Sequence, residues 1–127
     1  MEDYSKKSVF SNKTVTGSNF TNCQGVNGGA INIQDVSGFN IGRGNNFVMN
    51  NASIAGGAIF FTCSDHKLNE WMCSMNVSHS NIFSGNAAGI EGGAIKWDFY
   101  EPSMQISGIT FRNNSAGIYG ANIASVP

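Results

Sequence analysis

A four-residue motif, Gly-Gly-Ala-Ile, occurs three times in this chain and constrains its fold more than any other feature. The copies begin at Gly28, Gly56 and Gly92, and a degenerate copy follows at Gly120. Successive copies begin 28, 36 and 28 residues apart. A motif that returns in phase along most of a chain is typical of a solenoid, in which one small unit stacks on copies of itself.

A second motif, Phe-x-x-Asn, precedes each Gly pair and keeps the same phase. Its Phe residues are spaced by 27, 36 and 28 residues. In the first copy Phe20 is followed by Asn22, and Cys23 stands where the other copies have Asn. The positions interpreted as the structural repeat are Gly28, Gly29, Ile31, Phe47, Asn50, Gly56, Gly57, Ile59, Phe83, Asn86, Gly92, Gly93, Ile95, Phe111, Asn114 and Gly120.

The residues inside each repeat indicate strands rather than helices. Gly and Asn are abundant, and both favour turns over helix interiors. Short runs such as Ile31-Asn32-Ile33 alternate in polarity, which is typical of half-buried strands. An apolar content of 41% and phased aromatic residues argue against a disordered tract. An antiparallel sandwich would not explain the phased motif. The sequence therefore predicts an all-β fold, a single-stranded parallel β-helix of about four coils.

Superposing the repeats predicts which side chains lie over one another. Three columns result: Ile31, Ile59 and Ile95; Ile33, Phe61 and Trp97; and, between them, Asn32, Phe60 and Lys96. The first two columns are apolar and are predicted to fill the core, whereas the mixed third column is predicted to face solvent. The Gly pair predicts a corner with a positive φ angle. The Asn after the Phe predicts a second corner in the left-handed region, with side-chain amides bonded from coil to coil.

The paired motifs resemble the repeats of polymorphic membrane proteins, which are defined by GGAI and FxxN. The resemblance covers roughly residues 15 to 124. It implies a right-handed parallel β-helix displayed outside the cell, in proteins often tied to adhesion, and the general crossover rule for parallel strands favours the same hand. No transporter barrel, the mark of an autotransporter, is present in this sequence.

The spacing also predicts the organisation of the chain. Residues 1–14 are predicted to be an N-terminal flank or cap, and residues 15–127 a β-helix domain. The one long interval indicates a loop of about eight extra residues, placed at about 62–76. We interpret the sequence as the terminal part of a larger protein, because four coils are short for a solenoid and solenoid ends need caps.

Cysteines flank the predicted loop. Cys63 and Cys73 are ten residues apart, and a disulfide between them would pin the loop. Two alternatives remain open: free thiols, or a metal site with His66 and His79, although that spacing matches no common zinc template. Cys23, at the Asn position of its repeat, is predicted to be a small buried residue.

Five Asn-x-Ser/Thr sequons are candidate glycosylation sites. They begin at Asn12, Asn19, Asn51, Asn76 and Asn113. A chain rich in Asn, Ser and Thr forms such triplets by chance, so the motif alone is weak. Asn76 lies beside the predicted loop and is the first choice.

Charge and hydropathy exclude several function classes. Charged residues make up 12% of the chain and the net charge is −1, so no basic stripe indicates nucleic-acid binding. No apolar run in this segment is long enough for a membrane span. The N-terminal residues do not form a signal peptide.

The sequence does not predict an enzyme. Parallel β-helices host polysaccharide lyases and hydrolases, which need converging carboxylates. Here only Asp98 and Glu101, with Glu91, are candidates to cluster, and we expect Lys96, Asp98 and Glu101 to form a solvated rim. No catalytic residue, metal site or cofactor is predicted.

The function predicted is therefore a structural or adhesive surface module that acts outside the cell. It would space other domains or contact protein or glycan partners, and its exposed aromatic candidates are Phe60, Trp71 and Tyr100. Two alternatives remain: a subunit of a larger assembly whose end coils are capped by partners or by the rest of a parent chain, or a fragment of a β-helix lyase or hydrolase.

Overall fold

The computed structural model describes residues 14–64 and 73–126, and these residues form a parallel β-helix. They contain sixteen strands and a short 3-10 helix at Ile106–Gly108. Four strands make one coil, so the described residues form four coils. The prediction of an all-β solenoid of about four coils is confirmed.

Each coil contributes one strand to each of four sheets. Coil 1 contains β1 (Thr14–Val15), β2 (Asn19–Thr21), β3 (Gln24–Asn27) and β4 (Ile31–Gln34). Coil 2 contains β5 (Phe39–Ile41), β6 (Asn46–Val48), β7 (Asn51–Ala55) and β8 (Ile59–Thr62). Coil 3 contains β9 (Met75–Val77), β10 (Asn81–Ser84), β11 (Ala87–Ala88) and β12 (Ile95–Asp98). Coil 4 contains β13 (Ser103–Met104), β14 (Ile109–Arg112), β15 (Ser115–Ala116) and β16 (Ile123–Val126).

All strand pairs are parallel, and equivalent strands of successive coils are neighbours. Sheet 1 is β1-β5-β9-β13 and sheet 2 is β2-β6-β10-β14. Sheet 3 is β3-β7-β11-β15 and sheet 4 is β4-β8-β12-β16.

The predicted apolar columns lie in register through the core. In sheet 4, Ile31 pairs with Ile59, Ile59 with Ile95, and Ile95 with Ile123. In sheet 2 the four Phe rings of the repeat stack at centroid distances of 4.9, 4.7 and 5.3 Å. Both sets point inward because alternate side chains of a strand share one face. The predicted stacking of Ile31, Ile59 and Ile95 is confirmed.

The prediction that the column between them faces solvent is wrong for two of its members. Phe60 is only 9% exposed and Lys96 only 4%. The column does lie on the outer face of sheet 4, but residues just before the Gly pair contact that face in coils 1 and 3, and the Lys96 ammonium lies over the Phe60 ring in coil 2. The Asn32 amide donates to the carbonyl oxygen of Asn27 in the first coil, and Lys96 is held by Glu91 in the third. The alternation of apolar and polar residues predicts on which face of the sheet a side chain lies. Contacts with neighbouring residues decide whether a side chain on the outer face is exposed.

The two corners differ in how they use the left-handed region of φ. The first Gly of each pair has a φ between 68° and 79°, as predicted. At the other corner the prediction that the Asn after the Phe is left-handed is correct for Asn22 but wrong for Asn50, Asn86 and Asn114. In every copy the left-handed residue is the third of the four: Asn22, Met49, Gly85 and Asn113. Asn50 and Asn86, at the fourth position, are buried, and their amides make hydrogen bonds inside the coil.

The loop predicted from the long interval connects the last strand of coil 2, in sheet 4, to the first strand of coil 3, in sheet 1. Residues 63–74 connect β8 to β9, whereas residues 35–38 and 99–102 make the equivalent connections of coils 1 and 3. The predicted loop residues His66 and Trp71 and the sequon at Asn12 lie outside the described residues.

Candidate functional site

A charged cluster lies on the outer face of sheet 4, where Lys96 is buried between two carboxylates. Its Nζ contacts Glu91 Oε1 and lies 2.8 Å from Asp98 Oδ1. The ammonium also lies 5.7 Å from the centroid of the Phe60 ring. The side chains of Glu91 and Asp98 are 17% and 19% exposed, so the whole group is largely removed from water.

The fold brings these residues together by two simple relations. Lys96 and Asp98 are two apart on β12 and therefore share one face of the strand. Glu91 precedes the Gly pair, and the turn at that pair carries the chain back over the sheet. Tyr119 occupies the position equivalent to Glu91 in the next coil, where the two residues form a parallel bridge.

The electrostatics of the cluster favour the charged form of both main partners. The hydrogen bond from Lys96 holds the pKa of Glu91 below its ordinary value of 4.5, against the opposing effect of burial. Burial opposes the charge of Lys96, but hydrogen bonds to Asp98 and Glu91 outweigh it and raise the lysine pKa. A hydrogen bond to Glu91 raises the pKa of Tyr119. Because its pKa is raised, Lys96 keeps its proton, and removing either carboxylate would leave a buried charge without its full compensation.

The arrangement corrects the predicted solvated rim. Lys96 is buried, and the carboxylate that joins Asp98 across it is Glu91. Glu101 is exposed and lies beside Tyr100 at another corner. The sequence suggested Glu91 only as an additional member, because nothing in a linear pattern shows that the Gly-pair corner folds over β12.

The ion pair predicts a pH dependence of stability. Glu91 has a lowered pKa in the folded state, so its contribution is present above about pH 4.5 and is lost as the pH falls through the folded-state value. We expect Glu91→Gln to lower the urea midpoint at pH 7, and the difference from the unmodified chain to shrink below pH 4.5. Glu101→Gln, at an exposed position, is the control and should change the midpoint little at any pH. A Glu91→Gln difference that is constant from about pH 3 to pH 7 would contradict the assignment.

A disulfide joins Cys63 and Cys73 at the two ends of the long connection. Their Cα atoms are 6.1 Å apart, and both residues are at most 1% exposed. The bridge anchors the connection to the core, since both cysteines belong to the main apolar cluster. Cys23 carries a buried free thiol, and its main-chain N–H donates to Asn50 Oδ1 at 3.0 Å.

A small cleft of about 290 Å³ lies beside the disulfide. It is lined by Cys73, Ser74, Met75, Asn76, Tyr100, Glu101 and Ser103. Three aromatic residues were predicted to be exposed. Tyr100 is half-buried in this cleft, Phe60 is buried, and Trp71 lies outside the described residues. The cleft combines an aromatic ring, a carboxylate and amide groups, which are groups that contact sugars or peptides.

Four of the five sequon asparagines lie in the described part of the chain, and all four are exposed: Asn19, Asn51, Asn76 and Asn113. Asn76 lies in the middle of β9, and its amide donates to Asn40 Oδ1 at 2.9 Å. Asn19 accepts a similar bond from Asn46. These amide pairs lie on the outside of the coils, each joining two neighbouring coils.

The Asn of Phe-x-x-Asn forms a buried ladder. Asn86 Oδ1 accepts from both the main-chain N–H and the side-chain amide of Asn50, each at 2.9 Å. The Asn86 amide in turn donates to the carbonyl oxygen of Phe47 and to Asn114 Oδ1. Asn50, Asn86 and Asn114 therefore satisfy the main chain at a corner where strand pairing is interrupted.

A second ladder was not predicted from the sequence. Asn45 and Asn81 are both fully buried two residues before the Phe, and the Asn45 amide donates to Asn81 Oδ1 at 2.9 Å. Asn45 Oδ1 accepts from the main-chain N–H of Ser18 in coil 1. A signal was available, namely an Asn two residues before Phe47 and Phe83, but only these two copies carry it.

The described residues contain neither a group of three or more His, Cys, Asp or Glu placed to hold a metal ion nor a helix long and apolar enough to cross a membrane. His79, part of the metal alternative, is instead within 2.9 Å of the Ser80 hydroxyl. No protein-family model, curated protein or solved structure matches this chain.

Proposed function

We propose that this chain is a non-catalytic structural or adhesive module, a rigid β-helix segment that acts outside the cell and contacts protein or glycan partners. One observation carries the proposal: the repeated residues lie in continuous ladders from coil to coil. Ile, Phe and Asn columns each run through successive coils in register. Identical side chains stacked along one axis make a stiff rod, because each coil is held by both neighbours.

Three features support a location outside the cell. The Cys63–Cys73 disulfide suits an oxidising compartment, where such bonds persist. Exposed sequons, above all Asn76, offer attachment points for glycans in a secreted protein. The resemblance of the GGAI and FxxN motifs to polymorphic membrane protein repeats agrees with display at a cell surface.

The charged cluster supports a structural role for its residues. Asp98 and Glu91 both contact the ammonium of Lys96, so neither is free to transfer a proton without losing a buried ion pair. A general acid or base must reach the substrate proton directly or through one water. Both carboxylates are instead held by Lys96, which supports a structural role for them.

The experiment that tests the proposal compares binding with turnover. The secreted, disulfide-bonded protein is screened on a glycan array and on immobilised cell-surface proteins, and sugar release is measured on a panel of polysaccharides. We expect saturable binding that Asp98→Asn leaves intact, with no sugar release. Release of sugar that Asp98→Asn abolishes would replace the proposal with the lyase or hydrolase alternative.

A second candidate, a subunit of a larger assembly, is favoured by the exposure of the last coil. Phe83 and Ile95 are fully buried, whereas their counterparts Phe111 and Ile123 in coil 4 are only partly buried. Within the described residues no strand pairs with the outer edges of β14 and β16. Such edges are templates for pairing with another chain, and an association that depends on Ile123 would support this candidate.

A further inference from the structure

A column of exposed aliphatic side chains runs along the outside of the solenoid, one residue per coil. Its members are Val26, Ile54, Ile90 and Ile118, which we call the aliphatic stripe. They are 57%, 42%, 39% and 73% exposed. Each lies two residues before a Gly-Gly or Gly-Ala pair, so the stripe repeats in phase with the coils. Single exposed aliphatics are ordinary on protein surfaces, but a continuous row of them marks an interaction site.

The main chain holds the stripe in register. The N–H of Ile90 donates to the carbonyl oxygen of Ile54, and the N–H of Ile118 to that of Ile90, both at 2.8 Å. In the first coil, Asn27 pairs with Ala55, which places Val26 next to Ile54. Successive members are thus about 4.8 Å apart and the stripe is about 14 Å long. All four side chains are β-branched and stiff, so little rotamer freedom is lost on contact.

A column of very small residues runs directly beside the stripe. It contains Ser53, Gly89 and Gly117, which precede Ile54, Ile90 and Ile118 and are all exposed. A Cβ atom at Gly89 would lie 2.0 Å from the carbonyl oxygen of Ser53, and one at Gly117 2.0 Å from that of Gly89. The close stacking of the coils therefore requires glycine at 89 and 117. Since no side chain of this column is larger than that of serine, we infer that its surface is lower than the aliphatic ridge, and we call it the groove.

We propose that the aliphatic stripe binds the same surface of a second copy of this chain, with the two solenoids side by side and parallel. A two-fold rotation about an axis parallel to the solenoid places the ridge of each copy against the groove of the other. The rungs then match without adjustment, because both surfaces have the same coil spacing. One patch that carries both a ridge and a groove is self-complementary, as an isologous interface requires.

The charges around the stripe permit this approach. Neither column contains a charged residue, and Glu91, which follows Ile90, is neutralised by Lys96. The net charge of −1 gives little repulsion between copies. This pairing goes beyond the proposed function, and no residue of the charged cluster or the cleft belongs to the stripe or to the column of small residues beside it.

The pairing is weak in solution. Four partly exposed aliphatic side chains bury far less than the roughly 800 Å² per partner of a standard interface. We therefore expect a dissociation constant of about 0.1 mM, within the concentration range of sedimentation equilibrium. Copies fixed side by side on a surface would pair more fully, because tethering raises their effective concentration.

Sedimentation equilibrium of the unglycosylated protein tests the interface between about 10 µM and 1 mM. Glycans are left out because one on Asn51 would stand three residues from Ile54. We expect a concentration-dependent dimer that Ile54→Asp with Ile90→Asp weakens at least tenfold. Met49→Asp is the matched control, since Met49 is 59% exposed but lies outside the stripe. Far-UV circular dichroism verifies that each variant is folded.

Three outcomes would overturn the proposal: a monomer at every concentration, a dimer that tolerates both stripe substitutions, or a dimer that only Ile123→Asp disrupts. The last would indicate end-to-end association. The relative direction of the copies is tested with a short bis-maleimide cross-linker on variants that each carry one added, exposed cysteine at one end of the stripe. In the parallel arrangement Val26→Cys and Ile118→Cys each cross-link to themselves. In an antiparallel one they cross-link only to each other, which would disprove the proposed geometry. The unmodified chain, with its buried Cys23 thiol, is the blank.

Discussion

Replacing Gly57 by alanine is expected to destabilise this protein strongly, as one of the tightest approaches between neighbouring coils lies at this residue. A Cβ atom there would lie 2.0 Å from the carbonyl oxygen of Gly93 and 2.7 Å from that of Ala87. Both obstacles are main chain in the next coil, and that coil is hydrogen-bonded to this one, with Gly57 N donating to Gly92 O at 2.9 Å. The coils would have to separate, so we expect a loss of more than about 4 kcal/mol.

Urea unfolding followed by circular dichroism measures this loss. Gly17→Ala is the matched control, because Gly17 has a φ of +58° but nothing within 4 Å of an added Cβ. It should cost only the backbone strain, about 1–2 kcal/mol. If the two variants unfolded at the same urea concentration, the close approach of the coils at Gly57 would not be the reason for its glycine.

Replacing Asn86 by alanine is expected to have the second-largest effect. Four hydrogen bonds end on its side chain, two accepted from Asn50 and one donated to each of Phe47 and Asn114. The residue is fully buried, so water does not replace these bonds without opening the core. The main-chain N–H of Asn50 loses its acceptor in the interior. We expect a loss of about 3 kcal/mol in the free energy of unfolding.

Asn46→Ala is the control for this ladder prediction. Asn46 makes one exposed amide bond, to Asn19 in the neighbouring coil, at 2.9 Å. Its replacement should cost less than about 1 kcal/mol, because water satisfies both groups. Equal losses of unfolding free energy for the two variants would mean that the buried ladder contributes no more than an exposed amide pair, and would contradict this prediction.

The core columns were predictable because they depend only on spacing. Once strands are stacked in parallel, residues at the same phase must lie over one another, and Ile31, Ile59 and Ile95 do. The positive φ of the first Gly in each pair was predictable for a related reason, since that conformation favours a residue without a Cβ atom. Neither prediction required knowledge of a contact from outside the repeat.

Exposure on the outer faces was not predictable in the same way. Phe60 and Lys96 occupy an outward column and are nevertheless buried, whereas Ile54 and Ile90 are aliphatic and nevertheless exposed. Hydropathy would assign all but Lys96 to the interior. Whether an outward residue meets solvent depends on how the adjoining corner folds, and that depends on contacts between residues such as Glu91 and Lys96.

The asparagines also show what could be predicted from the sequence and what could not. Their regular spacing showed that they act in the corners, but it did not show which residue of Phe-x-x-Asn is left-handed. Asn tolerates that conformation and also forms amide ladders, so its identity alone allows either role. In the folded coil the Asn50 amide donates to Asn86 in the ladder, and the residue with the left-handed φ angle is Met49.

Periodicity in the chain was sufficient to establish the architecture, the number of coils and the inward columns, because a regular stack turns each interval along the chain into a position in space. Burial of the outer surface, the ion pair across the Gly-pair corner and the ridge beside its groove depended on the assembled coils. Those properties arise from contacts between corners and strands whose relative placement no single repeat contains.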